Sequence, residues 1–119
     1  MIKVMLLEDD PTMLSLLETL LEIEGYTVKK ISNIDQTIVE VHAFMPEIIL
    51  MDVHLDNGHD GKKLLTSIRA EESLKDIKII MTSGLDLKKE CISIGAEDFL
   101  QKPYMPNDLI GMINNLLKE

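Results

Sequence analysis

Short apolar runs alternate with amphipathic segments along the whole chain. The apolar runs predict buried strands at 2–7, 26–31, 47–52, 77–82 and 98–101. The segments between them place apolar residues three and four positions apart, which predicts helices over about 11–24, 33–44, 62–71, 87–94 and 107–118. Asp10 is predicted to cap the first helix, Pro11 to begin it and Gly25 to end it.

This alternation predicts an α/β fold with a parallel sheet covered by helices on both faces. The runs at 2–7, 47–52 and 77–82 are the most apolar and are expected at the centre, whereas 26–31 is half polar and suits an edge. This pattern matches a flavodoxin-like (βα)5 three-layer sandwich with strand order 2-1-3-4-5. Its ligand crevice lies at the carboxyl ends of the strands, where the winding reverses between strands one and three.

Size and charge narrow the function classes. The 119 residues, 45% of them apolar, are enough for the core of one domain. A net charge of −9 argues against direct binding to nucleic acid. The apolar runs are too short to span a bilayer, the start lacks a signal peptide, and the single Cys91 suits a reducing compartment. We therefore expect a cytoplasmic protein without a membrane partner.

Polar and charged side chains follow four of the five predicted strands. They are Glu8, Asp9 and Asp10 after the first, Asp52 at the end of the third, Thr82 and Ser83 at the fourth, and Lys102 after the fifth. Because the carboxyl ends of parallel strands share one rim, these groups are expected to lie close together. Facing carboxylates suit Mg²⁺. A lysine and a hydroxyl are natural donors to a phosphoryl group.

The three adjacent acids have two explanations. In the first explanation, all three are solvated loop acids that the helix dipole stabilises at the helix N-terminus. Asp10 fits this explanation, as the helix cap. Glu8 and Asp9 instead point into the crevice if a cation offsets their repulsion, and Asp52 on the same rim favours this second explanation.

The segments MLLEDD, LMD, MTSG and FLQKP, in this order and at these spacings, resemble the response-regulator receiver domains (CheY-like). The resemblance covers 1–119 as a single receiver domain, with no output domain in these residues. It implies the following roles: Asp52 as phosphoryl acceptor; Glu8, Asp9, Asp52 and the backbone carbonyl of His54 as Mg²⁺ ligands; Thr82 and Lys102 as phosphoryl-binding residues; Phe99 as the switch aromatic. It also implies a cis Lys102–Pro103 bond.

The implied function is two-component signal transduction. A sensor histidine kinase or a phosphotransfer protein supplies the phosphoryl group from a phosphohistidine. The face formed by helix four, strand five and helix five then changes shape and controls a downstream protein. Phosphorylation can also lead two copies of the chain to form a homodimer. Such a domain catalyses only its own phosphorylation and dephosphorylation.

Three features depart from the family pattern. The loop VHLDNGHDG is one residue longer and has Asp56 in place of a proline, which leaves the start of helix three open by one residue. His54 and His59 are interpreted as solvated loop residues rather than transition-metal ligands, with His54, Ser83 and Gly84 as candidate modulators of the phosphorylated state.

The segment 82–95 is about two residues short, so helix four is expected to be trimmed. Phe99 has no hydroxyl and is either a switch or a core residue.

Alternative functions fit less well. A phosphohydrolase of the haloacid-dehalogenase type needs a second aspartate where His54 stands, and a capping insertion. An FMN-binding flavodoxin needs a phosphate loop where the three acids lie. A degenerate receiver that only binds proteins remains as an alternative.

Overall fold

The computed structural model describes residues 1–118, which form a parallel five-stranded sheet in the order β2-β1-β3-β4-β5. The strands are β1 (Lys3–Leu7), β2 (Thr27–Lys30), β3 (Ile48–Asp52), β4 (Lys78–Ser83) and β5 (Asp98–Gln101). The helices are α1 (Pro11–Ile23), α2 (Thr37–Phe44), α3 (Gly61–Arg69), α4 (Lys88–Ile94) and α5 (Pro106–Leu117). Short 3₁₀ turns cover Ile34–Gln36, Asp56–Gly58 and Glu72–Leu74. The predicted order of elements and of strands is confirmed.

Two apolar layers lie on opposite faces of the sheet, because side chains alternate along each buried strand. Along β1, Val4 and Leu6 pack with α1 and α5, whereas Met5 and Leu7 pack with α2, α3 and α4. The layer between the sheet and α1 and α5 is called here the α1/α5 layer. Strands β1, β3 and β4 lie inside the sheet, as their apolar composition predicts, and β2 lies at an edge.

Aspartate caps fix where two helices begin. The Asp10 carboxylate accepts hydrogen bonds from the backbone N–H groups of Thr12 and Met13, at 3.0 and 3.3 Å, as predicted. The Asp60 carboxylate accepts from the N–H of Lys62 at 2.8 Å, so α3 begins at Gly61. This cap sets the start of α3, which the longer loop had left open by one residue.

Helix α4 is short, with seven residues. It is tied to α3 by the ion pair between Lys62 and Glu90. Arg69 at the end of α3 also donates to the carbonyl of Gly95, at 2.8 Å. Within residues 1–118, no helix combines the length and the apolar character needed to cross a membrane.

Candidate functional site

Three carboxylates meet at the carboxyl ends of β1 and β3. These strands are neighbours, with Leu7 opposite Met51, so the residues that follow lie side by side. Carboxylate oxygens of Glu8, Asp9 and Asp52 all lie within 4.8 Å of one another. Glu8 and Asp52 are buried, with 7% and 4% of their surface exposed, whereas Asp9 is exposed. In the described part of the chain, this is the only group of three or more side chains arranged to hold a metal ion.

Lys102 binds two of these carboxylates from the far side of the crevice. Its Nζ donates to Oδ2 of Asp52 at 2.6 Å and to Oε2 of Glu8 at 3.1 Å. Its backbone N–H donates to the carbonyl of Ser83 at 2.8 Å, which fixes the end of β5 against β4. The Lys102–Pro103 bond is cis, as the resemblance implies.

Burial controls the charges of this group. It raises the pKa of Glu8 to about 7, against the hydrogen bonds from Asp10 and Lys102, and the charge of Asp52 adds to the shift. Burial also raises the pKa of Asp52, with a further rise from Asp9 and an opposing effect of Lys102. Burial lowers the pKa of Lys102, but its hydrogen bonds to Asp52 and Glu8 outweigh this and raise it.

These three carboxylates fit a hard divalent cation. One lysine faces three acids, so the ionised group keeps an excess of negative charge. The donors of the group are oxygens, which Mg²⁺ prefers, and Mg²⁺ commonly takes one or two carboxylates and keeps several waters. The donor set therefore matches the metal that the sequence predicts.

A buried hydroxyl lies next to the acids, at the end of β4. Thr82 pairs in register with Asp52 and is fully buried. Among residues 1–118 its Oγ1 has no hydrogen-bond partner, which is costly for a buried hydroxyl unless a ligand supplies one. The Ser83 hydroxyl, in contrast, accepts a hydrogen bond from the Leu85 N–H at 3.1 Å. Gly84 is exposed, and its carbonyl accepts from Gln101.

The loop after β3 packs against the backbone of Asp52 through Gly61. The Gly61 N–H donates to the carbonyl of Val53 at 2.7 Å. A Cβ atom at Gly61 would lie 2.2 Å from the carbonyl oxygen of Asp52, so only glycine fits here. His54 lies in the same loop with its side chain exposed, and its backbone pairs with Asp60.

His59 is a half-buried residue of the same loop, and it makes two hydrogen-bond contacts there. Its Nδ1 lies 2.6 Å from the carbonyl oxygen of Asp56, and its Nε2 lies 2.9 Å from Oδ1 of Asp35. Both partners are acceptors, so hydrogen bonds to both at once need a proton on each ring nitrogen, and these contacts favour the imidazolium form. The hydrogen bond to Asp56 raises the pKa of His59, and Asp35 raises it further. His59 therefore ties the loop to the turn before α2.

Two aromatic residues lie close to Lys102 in the sequence. Phe99 is buried in the layer of α2, α3 and α4, with 6% of its surface exposed, which agrees with a core position. Tyr104 packs in the α1/α5 layer. Its hydroxyl is buried and finds no hydrogen-bond partner in residues 1–118.

The chain is similar to a known family of proteins. The family model for the response regulator receiver domain matches residues 4–114. The chain is 31% identical over 121 residues to the sensory transduction protein BceR of Halalkalibacterium halodurans, covering 99% of this chain and 51% of that protein. It is 34% identical over 109 residues to the transcriptional regulatory protein MalR of Bacillus subtilis, covering 87% and 45%. The chain thus spans about half the length of either relative.

Solved structures share the fold. The N-terminal domain of the nisin resistance regulator NsrR superposes with a TM-score of 0.85 at 30% identity, covering 98% of each chain. The chemotaxis response regulator CheY4 of Vibrio cholerae superposes with a TM-score of 0.89, covering 98% of this chain and 99% of that one. At 22% identity, this second likeness concerns the fold alone. The family model spans nearly the whole chain, and the chain belongs to the response regulator receiver domain family of two-component systems.

Proposed function

We propose that this receiver domain accepts a phosphoryl group on Asp52 with the help of Mg²⁺, as a switch in a two-component phosphorelay. The observation that carries the proposal is the buried Asp52 carboxylate, which lies within 4.8 Å of oxygens of Glu8 and Asp9 and 2.6 Å from the Lys102 ammonium. Glu8, Asp9, Asp52 and the backbone carbonyl of His54 hold the metal ion.

Asp52 is the nucleophile. Its carboxylate attacks phosphorus in line as the bond from phosphorus to the donor's histidine nitrogen breaks, which leaves an acyl phosphate on Asp52. When bound, Mg²⁺ neutralises negative charge on the phosphoryl oxygens. Lys102 already contacts Asp52, so it is in place to pair with the new dianion.

Thr82 supplies the second protein donor. Its hydroxyl is buried beside Asp52 and, within the described part of the chain, is not used by another group. A phosphoryl oxygen on Asp52 provides the missing acceptor, and the resulting hydrogen bond draws the end of β4 toward the site. Phe99 on β5 packs in the adjoining core, so a shift of Thr82 is transmitted to the α4, β5 and α5 face.

The partners are a sensor histidine kinase or a phosphotransfer protein upstream, and a protein that docks on the α4, β5 and α5 face downstream. Exposed apolar side chains support docking at this face: Leu85, Ile92 and Met105 are 59%, 40% and 67% exposed. A second copy of the phosphorylated chain is an alternative occupant. The chemistry is limited to the domain's own phosphorylation and dephosphorylation.

The proposal is tested by intact mass after incubation with Mg²⁺ and acetyl phosphate. We expect a gain of one phosphoryl group that requires Mg²⁺ and is absent from the Asp52→Asn variant. A wild-type chain that gains no mass, and that also fails to bind beryllofluoride in the presence of Mg²⁺, would contradict the proposal. Such a chain would be a degenerate receiver that only binds proteins.

A further inference from the structure

Tyr104 carries a buried hydroxyl that the proposed mechanism does not use. It follows the Lys102–Pro103 bond, and its ring packs in the α1/α5 layer. No atom of residues 1–118 forms a hydrogen bond with the hydroxyl, although the hydroxyl is shielded from solvent. Buried hydroxyl groups nearly always have a partner, so this one is expected to find its partner in another state of the site.

Tyr104 packs in the α1/α5 layer, and strand alternation places Glu8 on the same side of the sheet. Leu6 of β1 and Leu100 of β5 face the α1/α5 layer. Because side chains alternate along a strand, Glu8 and Lys102 continue the same two rows and point to the same side. Burial, together with the smaller effect of the Glu8 charge, raises the pKa of Tyr104 to about 12. The hydroxyl therefore keeps its proton and can act as a donor.

Glu8 needs a second donor once the site is loaded. Its Oε2 now accepts from the N–H of Asp10 at 3.0 Å and from Nζ of Lys102 at 3.1 Å. Lys102 also binds Asp52, the proposed acceptor, and is drawn to the phosphoryl group when Asp52 carries one. A metal ion held by Glu8 would offset its charge, but a carboxylate has two oxygens with about four acceptor sites, and a buried acceptor site that loses its donor is destabilised unless another donor takes its place.

We propose that Tyr104 is a positioning residue of the site, which donates its hydroxyl proton in a hydrogen bond to Glu8 when Lys102 turns to the phosphoryl group. This inference rests on the proposed function above. Tyr104 thereby keeps the Glu8 carboxylate in the orientation needed to hold the metal ion in the activated state.

The tyrosine content of the chain allows a direct spectroscopic test. The chain has two tyrosines and no tryptophan. Tyr26→Phe therefore leaves Tyr104 as the only tyrosine in the near-ultraviolet spectrum, and Tyr104→Phe leaves Tyr26, whose hydroxyl bonds to Asn114 on α5. Each variant is titrated with beryllofluoride in saturating Mg²⁺. Fluorine NMR of the bound beryllofluoride measures binding independently, and thermal unfolding shows that each variant is folded.

A tyrosine that becomes a hydrogen-bond donor shifts its absorption to longer wavelength. We expect this shift in the wild type and in Tyr26→Phe, and no shift in Tyr104→Phe. Loss of one hydrogen bond to a charged group should weaken beryllofluoride binding by Tyr104→Phe about tenfold. Tyr26→Phe should bind like the wild type.

The proposal is overturned if Tyr26→Phe binds beryllofluoride without a spectral shift, or if Tyr104→Phe binds it with wild-type affinity. Either result leaves the proposed function intact, because binding itself is observed. A wild-type chain that binds no beryllofluoride in Mg²⁺ overturns both proposals.

Discussion

The Lys102 ammonium lies 2.6 Å from Oδ2 of Asp52, and this contact joins the residue after β5 to the end of β3. The same ammonium also contacts Glu8, so one cation serves two buried acids. Removing it leaves both acids without their charged partner. The pair therefore links the stability of the domain to the chemistry proposed for Asp52.

The first prediction concerns this pair. In Mg²⁺-free buffer, Lys102→Met should lower the free energy of unfolding by about 2 kcal/mol, less than the loss of a fully buried partner would cost because Lys102 is 28% exposed. Urea denaturation measures the change. Lys63→Met, at an exposed position on α3, is the control.

A double-mutant cycle isolates the contribution of the pair. In the Asp52→Asn background, the loss caused by Lys102→Met should be clearly smaller, because one of the two buried acids is already neutral. Equal losses in both backgrounds would show that Lys102 and Asp52 do not interact energetically.

The second prediction concerns the three adjacent acids. Mg²⁺ should raise the midpoint of thermal unfolding, because it binds the folded chain and not the unfolded one. Asp9→Asn should remove most of this rise. Without Mg²⁺ the same variant should be at least as stable as the wild type, because one of the repelling charges is gone.

Asp10→Ser is the matched control for Asp9→Asn. Serine also caps helices, so α1 should keep its start while the third carboxylate is lost. We expect this variant to respond to Mg²⁺ almost as strongly as the wild type. An equal loss of the response in both variants would contradict the division of these acids into metal ligand and helix cap.

The third prediction concerns Gly61. Gly61→Ala places a methyl group 2.2 Å from the carbonyl oxygen of Asp52, so the loop or the end of β3 must move. We expect a loss of about 2–4 kcal/mol in the free energy of unfolding, measured in urea.

Gly111→Ala gives the opposite expectation, which makes it a stringent control. This residue lies in α5 with open space around it, so alanine should be neutral or stabilising by up to about 1 kcal/mol. A Gly61→Ala variant as stable as Gly111→Ala would be incompatible with the close approach of the loop to Asp52.

The fourth prediction concerns pH. The folded pKa of His59 lies above the ordinary value of 6.5, so the folded state holds the proton more tightly than the unfolded state does. The stabilisation is fully present below about pH 6.5 and is lost as the pH rises through the folded pKa. The advantage of the wild type over His59→Gln should therefore shrink from pH 6 to pH 9.

An NMR titration of the His59 ring measures this pKa directly. Asp35→Asn should move it back toward 6.5, since Asp35 contributes to the shift. A pKa of His59 at or below 6.5 in the wild type would contradict hydrogen bonds from both ring nitrogens to Asp56 and Asp35.

Local patterns in the sequence were enough to predict most of the fold. The apolar runs located the strands, and Asp10 was correctly identified as a helix cap, because these features depend on neighbouring residues. The contact between His59 and Asp35 joins residues 24 positions apart. No pattern within the loop indicates this contact, so the sequence does not predict it.

The candidate site was predicted in part. The topology of a parallel sheet brings Glu8, Asp9, Asp52 and Lys102 to one rim, and the structure places them there. The sequence did not indicate that Tyr104 turns its hydroxyl inward, since this depends on how the chain after β5 packs on the α1/α5 layer. The position of a side chain relative to a distant element is decided by packing, which the local sequence does not encode.

Asp52 is proposed as the residue that carries the phosphoryl group. Borohydride reduces an aspartyl phosphate to homoserine, and peptide mass spectrometry locates the reduced residue. After incubation with Mg²⁺ and acetyl phosphate, we expect homoserine at position 52 and unmodified residues at Glu8 and Asp9. Reduction at another acid, or none at position 52 in a chain whose intact mass shows a phosphoryl group, would contradict it.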